Sequence, residues 1–203
     1  MDFYRIAELF TSIVVAFIMA GYLKPFFDKR TKLYSKKKLM EQIKKDEFVH
    51  LMLSDILKKY KSDRIYVWQF HNGDSFYTSS SMQKITITYE EVIEGLSRKS
   101  YENKNLLITN YSTYIKTIMT EGVFYSKVEK IKNLSIKLIS QNNGVKSHCA
   151  LPLFDKDKQL VALVCMDWVF NDVDESLLLE SGNFNDKFKE DFNNSIKSIT
   201  NYL

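Results

Sequence analysis

The residues best able to do chemistry lie where a bulky stretch meets a polar loop, in 66-YVWQFHNGDSFYTSSSMQK-84. His71 can donate or accept hydrogen bonds, and it leaves an expected central strand, where small-molecule sites are often built. Asn72 and Gly73 are typical of a turn with positive φ, and the Asp74 carboxylate can accept hydrogen bonds from nearby amides. The alternative is a structural turn whose histidine only hydrogen-bonds the loop.

Two further kinds of residue are candidates for contacting a ligand. The aromatic rings of Trp68 and Tyr77 could line a cavity, although such clusters more often belong to a core. Asp167 lies between Met166 and Trp168 on a strongly apolar strand, so it is either exposed at a sheet edge or lines a pocket. The candidate ligand-binding residues are therefore His71, Asn72, Asp74, Trp68, Tyr77 and Asp167.

The pattern does not favour metal or nucleophilic chemistry. The sequence contains residues of the types that bind zinc, but no pair of them has the usual metal-ligand spacing. These residues are His50, His71, His148, Cys149 and Cys165. Neighbours on a regular strand point to opposite faces, which argues against His148 and Cys149 as a nucleophilic pair. No Gly-rich phosphate loop or kinase signature occurs. We therefore expect no enzyme, no catalytic residue and no metal, and the sequence names no cofactor.

The elements that must position these residues begin with a helix over residues 39–60. Apolar side chains recur there at helical spacing, at Val49, Met52, Leu53, Ile56 and Tyr60. Residues 65–70 predict a strand covered on both faces. Residues 84–92 alternate, which predicts a strand with Ile85, Ile87 and Tyr89 on one face, and residues 90–97 predict a short helix.

The second half of the chain predicts a mixed middle and a clear hairpin. The middle predicts two short strands, 106–109 and 123–127, and two helices, 111–120 and 131–141. Two strands, 147–154 and 159–170, follow around a tight turn. Cys149 and Cys165 fall on these strands, as direct neighbours or on opposite faces according to the register, and we expect free buried thiols. The end of the chain predicts a helix over 174–203, interrupted near Gly182.

This order of elements resembles that of a GAF domain over about residues 44–203. The residues that carry the resemblance are 150-ALPLF-154, the turn 155–158 and 160-LVALVCMDW-168. The resemblance implies an α+β fold in which helices flank a GAF/PAS-like antiparallel sheet. Domains of this family often hold a small ligand on one side of the sheet, and many hold none and only mediate dimerisation.

The segment before this domain predicts a transmembrane helix. The run 9-LFTSIVVAFIMAGYL-23 has 15 uncharged residues, and extended back to Phe3 it reaches 21 but then includes Arg5 and Glu8. Roughly 20 residues span the hydrocarbon core of a membrane. An interfacial helix and a buried core helix are the alternatives. We therefore divide the chain into a membrane anchor (1–23), a basic juxtamembrane stalk (24–43) and a GAF-like globular domain (44–203).

The formal net charge of +4 comes from the stalk. Asp28 is the single acidic residue among seven basic ones, Lys24, Lys29, Arg30, Lys32, Lys36, Lys37 and Lys38. Positive flanks tend to stay cytoplasmic, which predicts a single-pass protein of the inner membrane with its globular domain in the cytoplasm. The cluster would contact anionic lipid at roughly 1 kcal/mol per basic residue, unless it is merely a solvated linker. Such local charge does not favour a nucleic-acid partner.

A second resemblance is to the holins of T-even-type bacteriophages. It rests on the single N-terminal membrane helix before a globular domain and on 166-MDWVFND-172. It implies a phage origin, a helix that oligomerises into a lysis pore, and a periplasmic domain that a regulatory protein binds to control timing.

Two functions follow from these patterns. The first is a membrane-anchored GAF-like regulatory module that senses a small ligand or a protein partner, as a homo-oligomer. The second is a holin, in which the globular domain controls the timing of lysis. The positive flank favours the first, and the compact size and the 166–172 segment favour the second.

A topology reporter fused after Leu203 distinguishes these functions. We expect a reporter that works only in the cytoplasm to be active, because the basic stalk resists translocation. Activity of a reporter that works only in the periplasm would contradict this orientation and would favour the holin.

Overall fold

The computed structural model describes residues 4–5, 11–12, 36–75, 81–179 and 184–203. They belong to two compact units, Met1–Asp46 and Glu47–Leu203. Within this part of the chain, no helix is both long enough and apolar enough to cross a membrane. The predicted anchor run lies outside the described residues except at positions 11 and 12.

The first unit is described mainly by its last turns of helix, at residues 36–46. Lys36, Lys37 and Lys38 are helical and exposed there. The other basic residues of the predicted stalk, Lys24, Lys29, Arg30 and Lys32, lie outside the described residues.

Six strands of the second unit, counted over the described residues, form one antiparallel sheet in the order β3-β2-β1-β6-β5-β4. β1 and β6, at its centre, are long and rich in β-branched and aromatic residues, which suit a strand covered on both faces. The bounds are β1 Arg64–Ser75, β2 Ser81–Val92, β3 Leu106–Leu107, β4 Phe124–Lys127, β5 Ser147–Phe154 and β6 Leu160–Trp168.

Helices cover both faces of this sheet. Residues 47–59 of the second unit are helical, and we call them α1. α1 and α4 (Asp186–Ile196) lie on what we call the α1/α4 face. α2 (Ser112–Glu121) and α3 (Leu134–Asn142) lie on the opposite side, the α2/α3 face.

The α1/α4 face is an apolar core. Its helical stripe is the predicted one, with Val49, Leu53, Ile56 and Tyr60 buried and Met52 half-buried. From α4, Phe188 and Phe192 stack with ring centroids 5.6 Å apart. Each large apolar side chain buried in this way stabilises the fold by roughly 1.5–3 kcal/mol.

A β-bulge in β2 places Tyr89 on the opposite face from Ile85 and Ile87, so the prediction that all three share one face was wrong. Val67 pairs with Tyr89 whereas Trp68 pairs with Ile87, so Thr88 is the extra residue. The extra residue reverses the alternation, because side chains change face at every position. Ile85 and Ile87 therefore lie on the α2/α3 face, and Tyr89 packs on the α1/α4 face.

Two predicted helices were wrong. Residues 90–92 continue β2 and the chain then turns, so there is no helix over 90–97. Glu90 remains in β2, where its buried carboxylate pairs with Arg64 of the neighbouring strand. The terminal helix is also shorter than predicted: 3-10 turns at Glu175–Leu177 and Ile199–Asn201 precede and follow α4.

The predicted turn at Asn72 and Gly73 was also wrong, because β1 continues through Ser75. Gly73 has a different reason to be glycine. A Cβ there would lie 2.7 Å from the carbonyl oxygen of Met82 and 2.8 Å from Lys84 Cε. The close approach of β2, and not a positive φ, favours glycine at this position.

Candidate functional site

Three charged residues and one histidine are buried on the α2/α3 face. Arg64, Glu90, His148 and Asp167 are each at most 3% exposed. Register brings them together, because Asp167 on β6 pairs with Arg64 on β1 and with His148 on β5. The bulge in β2 turns Glu90 to the same side.

Hydrogen bonds and ion pairs join these side chains into a row that begins at Tyr114 of α2. The Tyr114 hydroxyl lies 2.6 Å from His148 Nε2, and His148 Nδ1 lies 2.7 Å from Asp167 Oδ1. Arg64 donates to Asp167 Oδ2 at 3.1 Å, and its Nε lies 3.2 Å from Glu90 Oε1. We call this row of five residues the polar chain.

The chemistry of the partners fixes the direction of hydrogen bonding in the polar chain. Burial raises the pKa of Tyr114 well above its usual value, so Tyr114 keeps its proton. An ionised carboxylate only accepts, so His148 Nδ1 carries a proton that it donates to Asp167. In a neutral His148, Nε2 then accepts the Tyr114 O–H.

The far end of the polar chain holds a loop, residues 97–100, which we call the 97–100 loop. The Glu90 carboxylate accepts from the backbone amides of Lys99 and Ser100, each at 2.8 Å. Arg64 donates to the Ser97 carbonyl oxygen at 3.2 Å. The loop conformation therefore depends on two buried charges of the sheet.

The order Tyr–His–Asp resembles a nucleophile, a base and an orienting acid, but it is poorly suited to covalent catalysis. A tyrosine nucleophile attacks as its anion, and the raised pKa of Tyr114 disfavours that anion. We therefore interpret the polar chain as a hydrogen-bonded connection between Tyr114 and the 97–100 loop.

An open cleft of about 720 Å³ lies beside the Tyr114 end of the polar chain. Asn133 is one of its lining residues. Its side chain accepts a hydrogen bond from the Ile136 amide at the start of α3 and donates one to the Thr113 hydroxyl of α2 at 2.9 Å. The lining combines three aromatic residues, several hydroxyl-bearing residues, two lysines and one acid: Thr113, Tyr114, Thr117, Glu121, Phe124, Tyr125, Ser126, Lys130, Ile131, Lys132 and Asn133. We call this space the α2–β4 cleft.

Two of the six predicted ligand-binding residues, Trp68 and Asp167, meet in a second, internal cavity. This space of about 10 Å³ has room for roughly one water molecule. Arg64 and Asn103 also line it. Trp68 is 1% exposed, and its Nε1 has no hydrogen-bond partner within the described part of the chain.

The other predicted ligand-binding residues are on the β1–β2 hairpin. His71 Nε2 lies 2.9 Å from Thr86 Oγ1, and the exposed Asn72 accepts from Gln83 at 2.8 Å. Asp74 belongs to β1, and Tyr77 lies outside the described residues. The structure thus does not bring His71 and Asn72 together with Trp68 and Asp167.

Sequence reasoning found only Asp167 of the polar chain. Arg64, Glu90 and Tyr114 were missed because each is unremarkable in its own segment, and His148 was considered only as a metal ligand or as a partner of Cys149. A charged residue at the edge of an apolar strand was the available signal, and Arg64 and Glu90 both show it. Over the described residues, no group of three His, Cys, Asp or Glu is placed to hold a metal ion.

The two cysteines are buried on opposite faces of the sheet. Cys149 pairs with Met166 and packs in the α1/α4 core, whereas Cys165 packs in the α2/α3 layer. Both are free thiols, and burial raises the pKa of each well above its usual value.

Solved structures show which fold this architecture belongs to. No protein-family model matches the sequence, and a comparison with curated proteins finds no relative. The GAF domain of PixJ from Thermosynechococcus elongatus, in its blue-light absorbing form, superposes with a TM-score of 0.57 at 13% identity, over 80% of this chain and 86% of that one. The fold is that of a GAF domain.

Other GAF structures agree with this assignment. A GAF domain/HD domain protein from Geobacter sulfurreducens gives a TM-score of 0.56 at 11% identity, over 81% of this chain and 94% of that one. A phycocyanobilin-bound GAF domain from a cyanobacterial phytochrome gives a TM-score of 0.53 at 11% identity, over 81% of this chain and 86% of that one. The predicted GAF-like α+β fold, with helices flanking an antiparallel sheet, is confirmed, and the N-terminal membrane helix stays a prediction.

Thiol chemistry tests the burial of both cysteines. A thiol-reactive disulfide reagent at about pH 8 should react with neither cysteine in the folded chain, because the reactive species is the exposed thiolate. Both should react once guanidinium unfolds the chain. Absorbance of the released thiolate measures this, and rapid reaction of either thiol before unfolding would contradict the described packing.

Proposed function

We propose that this chain is a regulatory binding module whose GAF-like domain takes a small molecule into the α2–β4 cleft. The observation that carries the proposal is the cleft itself, about 720 Å³ in volume and bordered by a residue of the polar chain. Clefts of roughly 300–1,000 Å³ are the usual size for small-molecule sites. The phycocyanobilin-bound neighbour carries a small molecule on the same fold.

The lining of the cleft indicates the chemical class of the ligand. The half-buried Phe124 offers ring surface to a flat or apolar group, next to the buried Tyr114. Lys130 and Lys132 provide two positive charges for an anionic group. Hydroxyl groups along α2 can fix its orientation. The ligand is therefore a small anion that has a planar or apolar part.

We also propose that the N-terminal segment attaches this module to the inner membrane, with the globular domain in the cytoplasm. The uncharged run of residues 9–23 and the basic residues after it support this proposal. The basic residues would contact anionic lipid, and a bound ligand would act on a second copy or on a regulatory protein. The holin hypothesis differs in the side of the membrane that the domain occupies.

Ligand screening of the full chain in detergent micelles tests the binding proposal. The probes are nucleotides, aromatic carboxylates and phosphorylated metabolites, detected by changes in the melting temperature and in NMR chemical shifts. We expect at least one probe to bind, and Thr117→Trp to weaken its binding at least tenfold, or about 1.4 kcal/mol, because an indole would fill the cleft.

Thr120→Trp is the matched control, since Thr120 is exposed on the same helix and does not line the cleft. The control variant should bind the probe with an affinity within twofold of that of the unsubstituted chain. Failure of every probe, or equal weakening by both tryptophan variants, would contradict a ligand site in the α2–β4 cleft.

A further inference from the structure

We propose that the polar chain couples the α2–β4 cleft to the 97–100 loop, so that a group packed into the cleft loosens the loop. The ligand role of the cleft rests on the proposed function, whereas the coupling is a property of the described residues alone. The coupling makes the 97–100 loop the output surface of the module.

Burial is what allows the polar chain to transmit a local change. The side chains of Arg64, Glu90, His148 and Asp167 have almost no exposed surface, so water cannot replace a hydrogen bond that one of them loses. A buried polar group that loses its partner costs about 1–3 kcal/mol, which favours a rearrangement that finds a new partner. A change at one member therefore alters the geometry of the next.

Tyr114 is the member that a group in the cleft would move. It lines the cleft, and its ring packs against Phe124 at 5.0 Å and against His148 at 5.8 Å between centroids. Thr117 also lines the cleft, on the same face of α2 and one turn further on. Displacement of this face of α2 lengthens the 2.6 Å contact between the Tyr114 hydroxyl and His148 Nε2.

Arg64 converts that displacement into a change at the loop. Its guanidinium is shared between Asp167 and the Ser97 carbonyl oxygen, and it also faces Glu90. When the contact of His148 with Asp167 weakens, Asp167 has one fewer donor and draws Arg64 more strongly. The Ser97 carbonyl then loses its donor, and Glu90 loses part of the charge that holds it beneath the loop amides.

Exposed side chains lie in and beside the 97–100 loop, where a partner can contact them. The Arg98 side chain is 48% exposed and its guanidinium donates to the Glu90 carbonyl oxygen at 2.7 Å, whereas Tyr101 is 81% exposed. Lys104 lies over the Tyr101 ring at 4.6 Å from its centroid. Movement of the loop therefore repositions Arg98 within it and Tyr101 directly after it, which would favour a partner with acidic and aromatic groups.

Hydrogen exchange in Tyr114→Phe, followed amide by amide on the full chain in micelles, tests the link without any ligand. The loss of one hydroxyl should speed exchange of the Lys99 and Ser100 amides about fivefold, which corresponds to roughly 1 kcal/mol. Tyr111→Phe is the matched control, because Tyr111 is buried in the same layer but is not in the polar chain. In this control, the exchange rates of both amides should stay within twofold of those in the unsubstituted chain.

The amides of α4 provide the internal reference, since they report global opening on the other face of the sheet. Equal acceleration at Phe192 and at Ser100 would mean general destabilisation and would overturn the proposal. Unchanged rates at Lys99 and Ser100 in Tyr114→Phe would overturn it as well.

A covalent probe then tests occupancy of the cleft directly. Thr117→Cys labelled with N-phenylmaleimide places a ring in the cleft, and Thr120→Cys labelled in the same way places it on the exposed side of α2. We expect faster exchange at Lys99 and Ser100 only in the first. No difference between the two would overturn coupling, whereas failure of the ligand screen would overturn only the proposed function.

Discussion

The buried guanidinium of Arg64 is the interaction on which the rest of the site depends. It lies at the start of β1 with 1% of its surface exposed, between Asp167 on β6 and Glu90 on β2. Transfer of an unpaired charge to such a place costs several kcal/mol, so the position is tolerable only with both carboxylates present. The guanidinium therefore holds three adjacent strands of the sheet and the loop above them in one arrangement.

The two faces of the sheet divide the work of folding and of binding. The α1/α4 face is an apolar core in which the rings of Phe184, Phe188 and Phe192 stack on one another, and it supplies stability. The α2/α3 face contains the polar chain among its apolar side chains, and it borders the open cleft. Polar groups in such a layer stabilise little in themselves, but they make the layer responsive to a change at one end.

The parts of the fold that depend on local pattern could be predicted from the sequence. The β5–β6 hairpin followed from two apolar runs around a tight turn, and the helical stripe from Val49 to Tyr60 followed from helical spacing. The reversal of Tyr89 could not, because a bulge is set by pairing across two strands. The helix predicted over 90–97 failed for a related reason, since the partner that buries Glu90 lies on another strand.

The candidate site was even less accessible to sequence reasoning. Asp167 stood out as an acid in an apolar strand, but its partner Arg64 is 103 residues away along the chain. His71 and Asn72 attracted attention because they look like a turn, and they pair instead across an extended hairpin. The α2–β4 cleft has no sequence signature at all, because it is formed where α2, β4 and the start of α3 meet.

The measurement that tests this account most directly is a double-mutant cycle on Arg64 and Asp167, read out as the free energy of unfolding in urea. If the pair organises the sheet, Arg64→Met and Asp167→Asn should each lower that free energy by about 3–5 kcal/mol, because each removes one partner of a buried ion pair. The double variant should cost at least about 1 kcal/mol less than the sum of the two. Strictly additive losses, or single losses below about 1 kcal/mol, would contradict the central place given to Arg64.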